Sequence, residues 1–523
     1  MKNSILRISV LLLACTAGNN GAYSQSPKFI WAEKAGGTGW ELAHDITTDG
    51  SGHILVVGLF EGSATFDDTI TLRSRGSFDI FVTKYDESGN SLWARGIGGS
   101  GSDLGGSVAT DESGNVLVTG SFSGSANFGD TTLTVQGEHD TFIAKYDEDG
   151  NPLWVRSAGR PVGDSGNGIA TDGFGNVVVV GNFQTAPYLD MFIAKYDTDG
   201  NMLWIEEVSR VTARGVDTDS FSHSFVVGEF ESNDKYIACY DSHGNLLWEL
   251  EKREPGTVTD IATDSSGNIF VCGYLAKQGG HVFVAKYDSS ANKLWERQSS
   301  RGIEDPQVAT GIAIDKSGNS IITGRFSDRI MFGSITLTSA GRNVPFDRDI
   351  FLASYDASGN FLWALRAGGT ERDSGTGVAI GQSGHAIVAG FFQGTATFGP
   401  TSLTAFGQAD IFLAKVDRGI ITGLGSEVTS PKSFTLFQNY PNPFNPQTKI
   451  AFQIAESVQV RLAIYNLLGQ EVITLVDEKR SPGEFVELWD GNDRSGKAVP
   501  SGVYVYRLQA GEFVEIKKMI LLR

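Results

Sequence analysis

Three aspartates, Asp103, Asp164 and Asp373, hold one position in glycine-rich links that recur along the chain. Carboxylates brought together in pairs can hydrolyse a glycosidic bond, one as acid and the other as base or nucleophile. These three are therefore the candidate ligand-face residues. A second group, Asp147-Glu148-Asp149-Gly150-Asn151 and Asp197-Thr198-Asp199-Gly200-Asn201, reads like the opening of a calcium loop. An EF-type loop needs a bidentate Glu at its twelfth position, and none stands there. Tight hairpin turns account for the same residues, which leaves room only for weak calcium binding at an acidic face. No cofactor is expected. The seven histidines lie mostly in turns: His53, His223 and His385 occupy an Asn position of the repeat, and His243 lies in another turn. The chain shows no Walker loop, zinc pattern or nucleophile elbow. It carries no catalytic motif.

The elements that position these residues come from repetition. Close variants of F-x-A-K-Y-D-x-x-G-N-x-L-W begin at Phe81, Phe142, Phe192, Tyr236, Phe283, Phe351 and Phe412, spaced 44 to 68 residues apart. One such unit cannot bury its own apolar face, so the copies must stack. A second motif, V-A-T-D-x-x-G-N-V-x-V-x-G-x-F, alternates with the first. Its aspartates are Asp49, Asp111, Asp172, Asp219, Asp264 and Asp315, with Gly381 in the seventh copy. Both D-x-x-G-N pieces fit tight turns: Asp bonds the backbone ahead of it, and Gly and Asn tolerate left-handed geometry. Each unit thus predicts four short antiparallel strands. The last copy stops at Asp417 without its tryptophan, whereas Phe29-Ile30-Trp31-Ala32 supplies that piece near the N-terminus. The expectation is an all-β, seven-bladed β-propeller over residues 25–420, closed by the N-terminal strand.

The connections between the second and third strands run long in units 1, 2, 6 and 7 and share A-T-F-like text, as in Ala64-Thr65-Phe66 and Ala396-Thr397-Phe398. They are expected to be extra hairpins that either wall about half of one face or lengthen the blades. Trp93, Trp154, Trp204, Trp248, Trp295 and Trp363 read as blade-packing residues. Cys239 and Cys272 replace ordinary strand residues and read as buried thiols.

The text from Phe81 to the glycine-rich links resembles the SBBP (beta-propeller) repeats of secreted bacterial proteins, over residues 28–417. The fourth copy departs furthest, with Tyr236 and Cys239 in place of Phe and Lys and with Ser222-His223 in place of Gly-Asn. That resemblance implies a fold and no chemistry.

After a Gly-, Ser- and Thr-bearing linker at 421–435 the text changes. Alternating apolar strands separated by Gly, Pro and Asn-Asp turns predict a small Ig-like β-sandwich of about seven strands over 436–523. This segment closely resembles the type A C-terminal sorting domain of the type IX secretion system, a relative of the FlgD Ig-like module. The residues carrying the resemblance include Asn439, Tyr440, Pro441, Pro443, Phe444, Trp489, Gly502 and Tyr504. It implies a partner in the secretion machinery, export across the outer membrane, then removal of the tail and either release or attachment to surface polysaccharide. The linker Thr422 to Lys432 reads as the cleavage zone, and an Ig-like adhesive module that stays attached is the alternative.

Residues 1–24 read as a secretory signal: Lys2 and Arg7, an apolar stretch Ile8 to Ala14, and Ala22-Tyr23-Ser24 as a cleavage site. An alternative takes Leu12-Leu13-Ala14-Cys15 as a lipoprotein box. No stretch reaches the ~20 apolar residues of a spanning helix. Residues 8–420 hold 29 basic against 50 acidic residues, while 421–523 hold 11 of each. Such an acidic ring disfavours nucleic acid and anionic membranes. The expected protein is a monomer at the outer cell surface or in the medium, reached through the periplasm. It would bind a glycan or protein, with a polysaccharide hydrolase or lyase and a ligand-free surface component as alternatives.

Overall fold

The computed structural model describes residues 22–23, 26–185, 188–250, 254–264, 266–275, 280–300, 307–341, 347–419, 421–422, 434–439, 441–480 and 483–522. Most of the signal segment, Cys15 and most of the linker lie outside the described residues. Ala22–Tyr23 forms a short strand against Ile421–Thr422. Among the described residues no helix is long and apolar enough to cross a membrane.

Each repeat folds into a four-stranded antiparallel meander. The first comprises Glu41–Thr48, Ile54–Phe60, Asp79–Tyr85 and Ser91–Gly99. Its two middle strands are buried along their whole length, because neighbouring sheets cover both faces. That is why the text there is a continuous apolar run rather than an alternation. Sheets two to six repeat the pattern, starting at Leu104, Asp164, Val211, Thr257 and Val308. The seventh joins Ser374–Ile380, Ala386–Phe392 and Asp410–Asp417 to Lys28–Gly37, which pairs antiparallel along Asp410–Asp417. Each first strand packs beside the next sheet's first strand, and Ser374–Ile380 packs beside both Val308–Ile314 and Glu41–Thr48. The arrangement is that of a β-propeller.

Side chains of the repeat staple sheet to sheet. Trp93 Nε1 donates to Glu148 O at 3.0 Å, and Trp154, Trp204, Trp248 and Trp295 repeat the bond to Thr198, Ser242, Ser289 and Ala357. Each indole lies over the turn of the following sheet. At Gly200 (φ 77°) a Cβ would come within 2.7 Å of the Trp154 ring. Trp31 of the N-terminal strand stands in the same relation to Gly89. Within a sheet, the repeat's lysine reaches its buried aspartate: Lys195 Nζ lies 2.8 Å from Asp172, Lys145 3.0 Å from Asp111 and Lys84 3.1 Å from Asp49. Where Cys239 replaces that lysine, His223 Nδ1 still bonds Asp219 at 2.8 Å, as His53 bonds Asp49 in sheet one. Cys239 and Cys272 are buried free thiols.

The long connections are hairpins, and each lies along the outer edge of the preceding sheet, so the wall expected over one face is not what they build. Ser63–Phe66 pairs with Ala35–Gly37 of sheet seven, and Ser125–Asn127 with Gly98–Gly99 of sheet one. Thr397 bridges Gly368 of sheet six, and Ser300 N donates to Met331 O at 3.0 Å beside sheet five. Burial of one ring per hairpin dictates this placement. Phe66, Phe128, Phe332 and Phe398 are buried 4.7–5.3 Å from Phe81, Phe142, Phe351 and Phe412.

The C-terminal segment is a two-sheet sandwich. Thr435–Leu436, Thr448–Ile454 and Gly483–Trp489 face Val458–Asn466, Glu471–Arg480, Gly502–Ala510 and Phe513–Leu521. These are seven strands, as the alternating text predicts.

Candidate functional site

The candidate aspartates are buried loop anchors. Asp103 accepts from Gly99 N at 2.8 Å and Ser123 N at 3.0 Å. Asp373 accepts from Gly369 N at 2.6 Å and Gln393 N at 3.1 Å, and Asp164 accepts from Arg160 N and Gln184 N. All three are almost wholly buried. They do not converge on one pocket, since each ties its own link between sheets. Each of these links brings a second carboxylate near. A Cβ on Gly98 would lie 2.7 Å from Asp103 Oδ2 and 2.6 Å from Asp79 Cγ, and one on Gly368 2.8 Å from Asp373 Oδ2 and 2.9 Å from Asp349 Cγ. Burial raises all of these acids above the carboxylate range, opposed by their accepted N–H bonds. Asp373 is pushed up to about 8, with the nearby Asp349 and Asp347 adding to the effect. Asp349 is pushed up to about 7 against the pull of Arg366.

The calcium-like turns use their carboxylates internally. Asp147 Oδ1 accepts from Asp149 N and Asn151 N at 3.0 and 2.7 Å, and its Oδ2 accepts from Asn151 Nδ2 at 2.9 Å. Among the described residues no three His, Cys, Asp or Glu side chains gather as a metal site.

The tail motif builds the entry to the sandwich core. Asn439 is buried, donating to Pro441 O and Thr448 Oγ1, while Tyr506 takes its backbone N–H at 2.6 Å and donates to Phe437 O at 2.8 Å. Phe444 lies 5.5 Å from the Trp489 ring and Tyr504 5.3 Å from it. Tyr504 donates to Pro500 O at 2.8 Å and Trp489 to Asn492 O at 2.8 Å. Pro443 is exposed, and a Cβ at Gly502 would meet nothing. Tyr440 lies outside the described residues.

A different set of residues stands at the bulges of the first strands. Every sheet carries a β-bulge at one place in its first strand, opposite the glycine of V-x-G-x-F. The bulged residues are His44, Gly106, Asn167, Arg214, Thr259, Thr310 and Thr376. A bulge re-aims its side chain out of the sheet's alternation. Four of the seven reach the next sheet just before its own bulge: His44 to Gly105 O at 2.5 Å, Asn167 to Ala213 O at 2.8 Å, Thr259 to Ala309 O at 2.8 Å, and Thr310 to Gly375 O at 2.7 Å. Arg214 departs from this relay. Its Nη2 lies 2.6 Å from Glu229 Oε1, and Glu229 Oε2 accepts from Thr257.

Beside Arg214 lies a cavity of about 370 Å³ lined also by Thr259, Tyr274, Thr310, Arg325 and Arg348. Tyr274 and Arg325 follow the repeat glycines Gly273 and Gly324. Sequence reasoning passed over all of these. The signal available was disagreement among copies: the bulge position reads His, Gly, Asn, Arg, Thr, Thr, Thr, and the position after the glycine reads Leu, Ser, Asn, Glu, Tyr, Arg, Phe.

Residues 439–512 match the FlgD Ig-like domain family. A stretch of 159 residues, 27% of the chain, is 31% identical to an uncharacterized WD repeat-containing protein of Acanthamoeba polyphaga mimivirus and covers 11% of it. The regulatory protein FlaEY of Caulobacter vibrioides is 27% identical over 176 residues, 32% of this chain and 18% of that protein. The chain thus spans less than a fifth of either relative. Among solved structures, streptogramin B lyase is similar with a TM-score of 0.39 at 10% identity, over 74% of this chain and 97% of that one. The Dos1 propeller has a TM-score of 0.44 at 9% identity, over 76% and 96%.

Proposed function

We propose that the chain is an exported binding module: a seven-bladed ring of SBBP-type repeats, closed by the strand Lys28–Gly37, with an Ig-like tail that directs secretion by the type IX route. One observation carries the binding role. The seven copies agree where side chains staple the ring and disagree at the bulges around its opening. A rigid scaffold with an irregular rim is the usual arrangement for recognition. The pairing of Lys28–Gly37 with Asp410–Asp417, and Trp31 lying over Gly89, support closure. Asp103, Asp164 and Asp373 lend no support to hydrolysis, because their oxygens are engaged by backbone N–H groups.

On this reading the protein crosses the periplasm, sheds residues 1–24, and reaches the outer surface or the medium. Deleting residues 436–523 tests the export half: the truncated ring should accumulate in the periplasm. Normal surface display of that form would sink it. A screen of glycans and surface proteins tests the binding half, and a ring that captures nothing would point to a structural surface component.

A further inference from the structure

We infer that the first turns of sheets three and four form a docking surface on the ring, and that its occupant is the chain's own Ig-like sandwich. The third residue of the turn joining a sheet's first two strands reads Ser51, Ser113, Phe174, Phe221, Ser266, Ser317 and Ser383 along the seven copies. The turn itself does not require the two aromatic rings. Phe174 N and Phe221 N donate to Asp172 and Asp219 at 2.9 Å, the same bond that Ser51 N and Ser113 N give to Asp49 and Asp111. That bond is made by the backbone, so serine would serve as well. The five serines are exposed, whereas the two phenylalanines, on neighbouring sheets, are half-buried.

Both rings meet the sandwich. The Phe437 ring lies 6.2 Å from that of Phe221, edge to face at 63°. Lys449 Nζ stands 4.8 Å from the centre of the Phe174 ring and donates to Gly173 O. Leu436, Thr448 and Ile450 are buried in the sandwich, so Phe437 and Lys449, their neighbours along the chain, turn outward on one surface. Phe437 is carried by fixed backbone: its N–H donates to Ala451 O at 2.9 Å, and its carbonyl accepts from Tyr506 at 2.8 Å. The ring also makes room. Where other copies carry Glu112, Lys316 and Gln382, this one has Gly173, and a Cβ there would strike Lys449 Nζ. The residues by which these turns depart from the repeat are thus the residues that the sandwich touches.

The docked position turns one end of the sandwich toward the ring. Pro441, Asn445, Pro446 and Gln447 face Phe174 and His243 across a cavity of about 270 Å³. With that space unfilled, the two domains are held by a few anchors rather than by a continuous packed core. Anchors of this kind suffice within one chain, because tethering holds the two surfaces at a high effective concentration. They also let go, as modest contacts between domains do. A protein that grips Pro441–Gln447 from the ring's side has first to displace the ring. Undocking is therefore a separate step in any use of that end of the tail.

Amide hydrogen exchange and small-angle scattering of the full chain test this. The turns 172–176 and 219–223 should exchange more slowly than the matching turn 111–115. F174S/F221S, which restores the serine of the other five copies, should raise exchange at both turns and around Phe437 about tenfold or more, from loss of an edge-to-face ring pair and a cation–π contact. It should also enlarge the maximum dimension seen in scattering. G173Q, which places there the residue found at Gln382, should act alike by blocking Lys449. K449A added to F174S/F221S should add little, since one contact is lost only once. S113A, at the same place in sheet two, should change neither readout. Exchange at 172–176 as fast as at 111–115 in the unaltered chain would overturn the inference, as would scattering that F174S/F221S and G173Q leave unchanged. So would exchange that rises throughout the ring in those variants, because it assigns the two phenylalanines to the ring's own stability.

Discussion

Arg418 Nη1 lies 2.7 Å from Asp315 Oδ2, reaching back 103 residues to the carboxylate that a lysine of the same sheet serves in sheets one to three. Ser354 stands where that lysine would be, and it is buried. Burial alone would raise Asp315, yet bonds from Asn319 and Arg418 hold it below the ordinary carboxylate range. Removing the arginine by R418A should cost about 1.5–3 kcal/mol, the worth of a hydrogen bond to a charged group. The double variant R418A/S354K should recover much of that loss in urea denaturation, because it restores the arrangement of Lys195 with Asp172.

The tryptophan staples make a differential prediction for glycine. Gly200 and Gly114 both have φ near 77–78°, but a Cβ meets the Trp154 ring only at Gly200 and nothing within 4 Å at Gly114. Alanine at either site should cost about 1–2 kcal/mol from left-handed backbone. Gly200→Ala should cost more, and the excess should shrink in a Trp154→Ala background. Equal losses at the two sites would remove the packing argument.

The buried acids set a pH dependence of unusual sign. Asp373 at about 8, and Glu41 and Asp349 each at about 7, are raised mainly by burial from unfolded values near 4. Between those values the folded chain holds protons that the unfolded chain has released, so stability falls as pH rises. Their contribution is whole below about pH 4 and is lost by about pH 8. Asp172, which Lys195 holds low against its own burial, works the other way and is lost only as pH falls below its depressed value. Melting temperature should therefore be several degrees higher at pH 5 than at pH 8. D373N, which cannot ionise, should flatten part of that slope.

Removing residues 25–34 should open the seventh sheet and lower the melting temperature by several degrees, through loss of the strand beside Asp410–Asp417 and of Trp31 over Gly89. Unchanged melting would contradict closure by this strand.

The scaffold was legible because its residues obey local rules. Gly89, Gly150 and Gly200 adopt φ of 77–91°, as their turns demand, and the tryptophans pack as their spacing implies. The Asp-x-x-Gly-Asn turns close on their own carboxylates. What escaped were features fixed by direction rather than by period. The length of the Ser63–Arg73 hairpin is evident in the text, but not that Phe66 turns it onto the neighbouring sheet. Asp103 recurs because a link needs anchoring, which recurrence alone cannot tell from a ligand face. Arg214 and Arg325 follow no period, since the repeat lets those two positions differ from copy to copy.

The hairpins have one more effect. They cover or flank the outer strands of sheets seven, one, five and six, while Pro152–Ala158, Met202–Val208 and Leu246–Glu249 end their sheets bare among the described residues. That sector carries exposed Leu153, Met202, Leu203, Leu246 and Leu247, the kind of rim on which a stray strand from another copy can add. Arg156, Glu206, Glu207 and Glu249 lie along the same three strands. The outer edges are thus guarded in two ways, four of them by a folded cover and these three by charge. Only the charged sector should lose its protection in acid or strong salt.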